Sequence, residues 1–157
     1  MAQVKPIAEG MHIEPQPSSS EYPTNSSAGS NPAPGYAKYP DHRIATKPAG
    51  VRVRVLFKGE VIADTRDAIQ FEETVEGSTV APIVYYFPRK DVKMERLARS
   101  SHQTYCPFKG QASYFSLENG PENAVWSYEQ PYDEMITIKE LLAFYPDKVD
   151  SISASHE

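Results

Sequence analysis

Val51-Arg52-Val53-Arg54-Val55-Leu56-Phe57-Lys58-Gly59-Glu60-Val61-Ile62-Ala63-Asp64 is the stretch that sets the fold class. Val51, Val53, Val55 and Phe57 alternate with Arg52, Arg54 and Leu56, a period of two that turns one face of a strand toward a core. Lys58-Gly59 then predicts a two-residue hairpin, because glycine in the second turn position accepts the backbone twist that such loops require. Glu60 to Asp64 is the return strand.

The same grammar continues downstream. After a turn at Thr65-Arg66-Asp67, Ala68 to Glu73 alternates with Ile69 and Phe71 on one face, and Gly77-Ser78-Thr79 breaks the run. Pro82 to Phe87 reads as a buried strand with its proline at the start. Asp91 is placed to cap a short helical turn reaching Leu97. His102 to Cys106 and Gln111 to Leu117 form a second hairpin, and Ala124 to Tyr128 adds a strand with Trp126 and Tyr128 on one face. Ile136, Ile138, Leu141, Leu142 and Phe144 fit a helix nearly as well as a strand, so residues 136–145 stay open between the two. Pro146-Asp147 ends that group, and Val149 to Ile152 supplies an edge strand. Many short strands between frequent turn signals predict an all-β domain, a compact antiparallel sandwich or barrel-like folded sheet with one or two short helices.

Composition divides the 157 residues unevenly. Eight of the fourteen prolines lie in residues 1–48, beside Pro17-Ser18-Ser19-Ser20 and Asn25-Ser26-Ser27-Ala28-Gly29-Ser30. Such a stretch buries too little apolar surface to offset its ordering entropy, so residues 1–48 are expected to be a disordered arm. All six phenylalanines, the tryptophan and seven of ten tyrosines lie beyond it, which places the core in residues 49–152 and leaves 153–157 as a tail. Residues 49–157 also carry the whole net charge of −5. An acidic domain is a poor phosphate neutraliser, so no nucleic acid is expected as a partner. A single cysteine forms no internal disulfide and no cysteine-based zinc site, and His12, His42 and His156 fall in segments expected to be mobile, so neither metal nor cofactor is expected. No stretch approaches a membrane span and Met1-Ala2-Gln3-Val4-Lys5-Pro6 leads into no apolar run, so the expectation is a cytoplasmic protein with no membrane partner.

Chemistry concentrates in Tyr105-Cys106-Pro107-Phe108-Lys109-Gly110-Gln111-Ala112-Ser113-Tyr114-Phe115. Pro107 holds Cys106 extended, and Gly110 takes the positive φ that closes a tight connection. Lys109, three residues past the thiol, favours the thiolate if the two side chains converge. The plainer alternative makes Cys106 a small buried hydrophobe and Lys109 a solvated turn residue. Arg89 follows a strand in otherwise acidic surroundings. Tyr85, Arg89, Cys106, Lys109, Tyr114 and Trp126 are therefore the candidate ligand-binding set, with Arg89 and Lys109 as cations and the aromatics as walls, and Cys106 is the candidate catalytic residue. On the competing reading the aromatics are core and the cations pair with Asp91 and Glu129 at the surface.

Tyr86-Phe87-Pro88-Arg89-Lys90-Asp91-Val92, Cys106-Pro107-Phe108-Lys109-Gly110 with Ala112 and Tyr114, Trp126-Ser127-Tyr128-Glu129 with Pro131, and Ala143-Phe144-Tyr145 before Val149 form four blocks. In that order, over residues 51–152, they resemble the family called domain of unknown function 427, also styled nucleotidyltransferase-like. The resemblance implies a compact, mainly β domain with no agreed activity. Metal-dependent nucleotidyl transfer wants carboxylates converging on magnesium, often an Asp-x-Asp pair behind a Gly-Ser turn. Gly77-Ser78 has no such pair behind it, Asp64 and Asp67 are separated by a turn, and Glu72 and Glu73 alternate across a strand.

The leading functional expectation is a soluble module that binds a small anionic ligand. The alternatives are a non-catalytic scaffold that captures a protein partner through the N-terminal arm, and an enzyme using Cys106 thiol chemistry, with His102 as base, or nucleotidyltransferase-like activity. His102 and Cys106 are four residues apart on one strand, about 13 Å when extended, which argues against that base.

Overall fold

The computed structural model describes residues 30–156. Ten strands lie within them: β1 (His42–Pro48), β2 (Arg52–Phe57), β3 (Glu60–Thr65), β4 (Ile69–Val75), β5 (Ser78–Tyr86), β6 (Leu97–Cys106), β7 (Gly110–Leu117), β8 (Val125–Ser127), β9 (Ala143–Phe144) and β10 (Ser151–Ser155). They make three antiparallel sheets, ordered β1-β4-β5, β10-β2-β3 and β6-β7-β8-β9. The all-β expectation holds.

The opening stretch behaves as its alternation predicts. Val53 and Val55 are buried, and the β2–β3 hairpin turns on Lys58 and Gly59, both at positive φ. β10 pairs with the other edge of β2, and its ladder runs to Ser155, so residues 153–155 are strand where a tail was expected.

The four-stranded sheet is the middle layer. Ala112, Tyr114, Trp126 and Ala143 project from one of its faces into a cluster shared with Phe71 of β4 and with Ile44 and Val84 of the β1-β4-β5 sheet. Phe115, Leu117, Val125 and Phe144 project from the other into a second cluster with Val53, Val55, Ile62 and Ala63. Period-two alternation along β7, β8 and β9 produces this division directly. Phe87 and Leu142 exchange backbone hydrogen bonds of 2.7 and 2.9 Å, which joins the end of β5 to the central sheet.

Three further expectations are corrected, and one reading left open is settled. Residues 30–48, assigned to the arm, are ordered: Gly35–Lys38 is one helical turn, and all seven residues of β1 pair with β4. Proline counting failed there because Pro48 sits at the end of a strand on a sheet edge, where its missing N–H costs no ladder bond. Residues 1–29 lie outside the described residues. β5 begins at Ser78 after a turn at Glu76-Gly77 and is an edge strand, with Val80 and Ile83 each 45% exposed; only its end, Tyr86, and the following Phe87 are buried. Pro82 therefore lies mid-strand, where the β4–β5 register shifts. The helical turn expected after Asp91 is present as a single 3-10 turn, Met94–Arg96, preceded by another at Arg89–Asp91, but Asp91 caps neither: its carboxylate accepts from the Thr65 hydroxyl at 2.6 Å. Residues 136–145 resolve into the end of a 3-10 segment, Asp133–Ile138, and the short β9. Among the described residues no helix is long and apolar enough to cross a membrane.

Candidate functional site

The turn between β6 and β7 is built as its sequence requires. Gly110 sits at φ 113°, pairs with Cys106 across the ladder, and Lys109 N–H donates to the Cys106 carbonyl. The tip, however, points inward. Lys109 is fully buried, because the backbone around Tyr132 closes on it (Tyr132 N–H to Lys109 carbonyl, 3.1 Å) and Gly35 N–H donates to the Pro107 carbonyl at 2.9 Å.

An ammonium out of water needs a carboxylate, and Glu73 of β4 supplies it. Lys109 Nζ lies 3.4 Å from Glu73 Oε1, and His42 Nε2 lies 2.8 Å from Glu73 Oε2; all three side chains are at most 1% exposed. The Lys109 charge also rests over the rings of Phe71 (4.9 Å) and Tyr128 (5.8 Å), which replaces part of its hydration. Phe108 stacks on the His42 ring at 4.1 Å. Glu73 is the next step past Phe71 in the strand's period of two, so its inward direction was readable; its partner was not.

Aromatics close the site. Trp126 donates from its indole N–H to the Tyr86 hydroxyl at 3.2 Å, and the Tyr114 hydroxyl is paired with Thr104 Oγ1 at 2.9 Å and lies 3.5 Å from the Tyr145 hydroxyl. The Tyr128 hydroxyl is different: it is buried and has no hydrogen-bond partner among the described residues. Burial pushes the Tyr128 phenol well above its ordinary pKa, and the neighbouring Cys106, Tyr86, Tyr114 and Glu73 push the same way, so it stays a proton donor. Burial also raises the Cys106 thiol, against the opposing pull of Lys109 and of the Phe108 and Lys109 amides. The thiol is thus shifted away from the thiolate, opposite to the direction proximity to Lys109 alone suggests.

The six sequence candidates divide. Cys106, Lys109, Tyr114 and Trp126 meet in this cluster. Arg89 and Tyr85 do not join it. Arg89 lies on the opposite side of the central sheet, donating to Ser127 Oγ (3.1 Å), Glu129 Oε2 (2.9 Å) and the Glu140 carbonyl (2.7 Å) and resting over Phe115, while Tyr85 packs at the rim of the second apolar cluster. That Arg89–Glu129 pair is the one the surface reading anticipated. Asp91 pairs with Lys90 instead of Lys109. Sequence reasoning missed three members: Glu73, the Tyr128 hydroxyl, taken as core, and His42, placed in the arm. His102 remains exposed at the rim, its ring 4.6 Å from that of Tyr114. An open groove of about 350 Å³ lies elsewhere, between β3 and residues 90–93, and its Lys90 and Lys93 are tied to Asp67, Asp91 and Glu60. Among the described residues no group of three or more His, Cys, Asp and Glu side chains is placed to hold a metal ion.

The blocks noted in the sequence thus converge: Tyr86, then Cys106 with Lys109, then Trp126 with Tyr128, then Tyr145 surround one buried polar centre. A family model labelled NTP_transf_9 and described as domain of unknown function (DUF427) matches residues 45–155. No curated protein matches the chain.

Proposed function

The chain belongs to the domain of unknown function 427 family, and on that footing we propose that it is a small-molecule binding module whose site is the buried centre around Lys109 and Tyr128. One observation carries the reading: a fully buried ammonium whose carboxylate contact is long rests 5.8 Å from the centre of the Tyr128 ring, and that ring's hydroxyl has no hydrogen-bond partner among the described residues. An ammonium carries three donors and no acceptor, and a phenol adds one donor beside its acceptor oxygen, so most of the hydrogen-bonding capacity left over here is donor capacity. Leaving it unspent in a dry core costs on the order of 1–3 kcal/mol per group, which a folding core has no reason to bear.

The matching ligand presents an acceptor oxygen. Lys109 and Glu73 already cancel as an ion pair, so a doubly charged phosphate would bring uncompensated charge into the interior. A carbonyl or a single carboxylate fits better, which narrows the anionic ligand expected from sequence to one of low charge.

Thermal unfolding against inorganic phosphate, nucleotides, phosphosugars, monocarboxylates and neutral carbonyl compounds tests this. A ligand about a hundredfold above its dissociation constant should raise the wild-type melting temperature by several degrees. Tyr128→Phe should lose that response. If no compound shifts the wild type, or if Tyr128→Phe responds like it, the reading fails.

A further inference from the structure

We propose that the segment from Asn31 to Tyr39 is a lid, removable without unfolding the domain, that covers the buried Lys109–Tyr128 centre. The inference rests on the binding reading above, and supplies what that reading needs: a route into a site whose ammonium is shut off from solvent.

The lid lies directly on the turn that carries Lys109. Gly35 packs so closely on the Phe108 ring that a Cβ there would sit 2.7 Å from it, and Tyr36 and Tyr39 add their rings at 5.0 and 6.0 Å. Beneath Phe108 stand His42, Glu73 and Lys109 in turn. Tyr36 packs against the buried cluster itself, and burial, with Glu134, Glu73 and Cys106 pushing the same way, raises its phenol to about 12.

Its attachments are few and of a separable kind. Beyond the bonds of its own helical turn, the segment is held by Gly35 N–H to Pro107, by Asn31 N–H to Asp133 Oδ2 (2.6 Å) and Ala33 N–H to Glu134 Oε1 (2.8 Å), by Asp133 N–H returned to the Asn31 carbonyl (3.0 Å), by His42 N–H to the Tyr39 carbonyl (3.2 Å), and by Ala33 and Tyr36 packing with Tyr105 and Tyr132. Both latch carboxylates belong to exposed residues. From His42 onward the chain is fixed by a seven-residue ladder to β4. The change from side-chain ties to a continuous ladder marks Pro40-Asp41 as the hinge, because segments held by few backbone bonds open at lower free energy than sheet cores.

The chain contains one cysteine, Cys106, buried in the cluster that Tyr36 packs against, so thiol labelling reports opening without any ligand. In native buffer, Asp133→Ala combined with Glu134→Ala should accelerate Cys106 labelling by iodoacetamide at least about tenfold, the effect of losing one charge-assisted hydrogen bond. The urea midpoint should barely move. Gly35→Ala, which pushes the lid off Phe108, should give the same acceleration by a different route. The proposal is overturned if wild-type labelling rises with urea in step with global unfolding and neither variant changes it. Because no ligand enters the experiment, a lid that fails leaves the binding reading standing, and a silent ligand panel leaves the lid standing.

Discussion

The two faces of the central sheet solve the burial problem in opposite ways. One packs Val53, Val55, Ile62, Phe115, Leu117, Val125 and Leu142, nearly all hydrocarbon, and keeps its charges at the margin, where Arg89 and Arg99 share Glu129 in partly exposed geometry. The other carries Glu73, Lys109 and His42 into the interior and surrounds them with six aromatic rings that also hold hydroxyls or an indole N–H. Charges at a margin cost little and return little, whereas a buried pair must recover several kcal/mol of lost hydration. A sheet that fills one side with aliphatics has no packing need for a lysine on the other. The contrast therefore sets hydrocarbon packing on one face against buried, mutually dependent charges on the other.

Removing one partner of the buried pair is the largest break. Glu73→Ala strands the Lys109 ammonium and should cost about 3–5 kcal/mol in urea unfolding. Combining Glu73→Leu with Lys109→Met should recover about 2 kcal/mol or more of the summed single losses, because the double variant leaves no unpaired charge. A loss under about 1 kcal/mol for Glu73→Ala would erase the distinction between the faces.

The marginal cluster should respond to pH instead. Arg99, with Arg89, holds the Glu129 carboxyl down to about 2 from an ordinary 4.5. A depressed folded-state pKa adds stability that is complete above the unfolded value and disappears as pH falls toward the folded one. Wild type should exceed Glu129→Gln by about 1 kcal/mol at pH 6, after screening at a site 28% exposed, with the gap closing between pH 4.5 and 2. A gap unchanged at pH 3 would show that the carboxylate charge is not its source.

The smallest effect carries the sharpest sign. Without ligand, Tyr128→Phe removes a hydroxyl that has no partner among the described residues, so stability should stay level or rise by up to about 1 kcal/mol. Destabilisation by that amount would mean the hydroxyl is satisfied in solution.

Much of this was legible in the residues, and for local reasons. Alternation gave β2, β3 and β7, the Lys58-Gly59 and Gly110 turns fell where glycine's positive φ is required, and the Cys-Pro-Phe-Lys-Gly turn was recognised as a built feature. Two failures have a common physical origin. Ile83 looked buried because apolarity was read without knowing that β5 is an edge, and His42 looked mobile because proline density was read without knowing that β4 would pair with its strand.

Periodicity and turn chemistry act over a few residues, so the amino-acid order alone determined β2, β3, β4, β7 and β8, two of the hairpins and the all-β class. Which side chains share a dry interior depends on how sheets stack, and contacts such as Glu73 with Lys109, 36 residues apart, exist only once three sheets are layered and the 107–110 turn is folded inward. That stacking alone separated Arg89 from Lys109. It turned two apparently equivalent cations into a surface tie and a buried centre, because the energy of a charge is fixed by its surroundings and not by its neighbours in sequence.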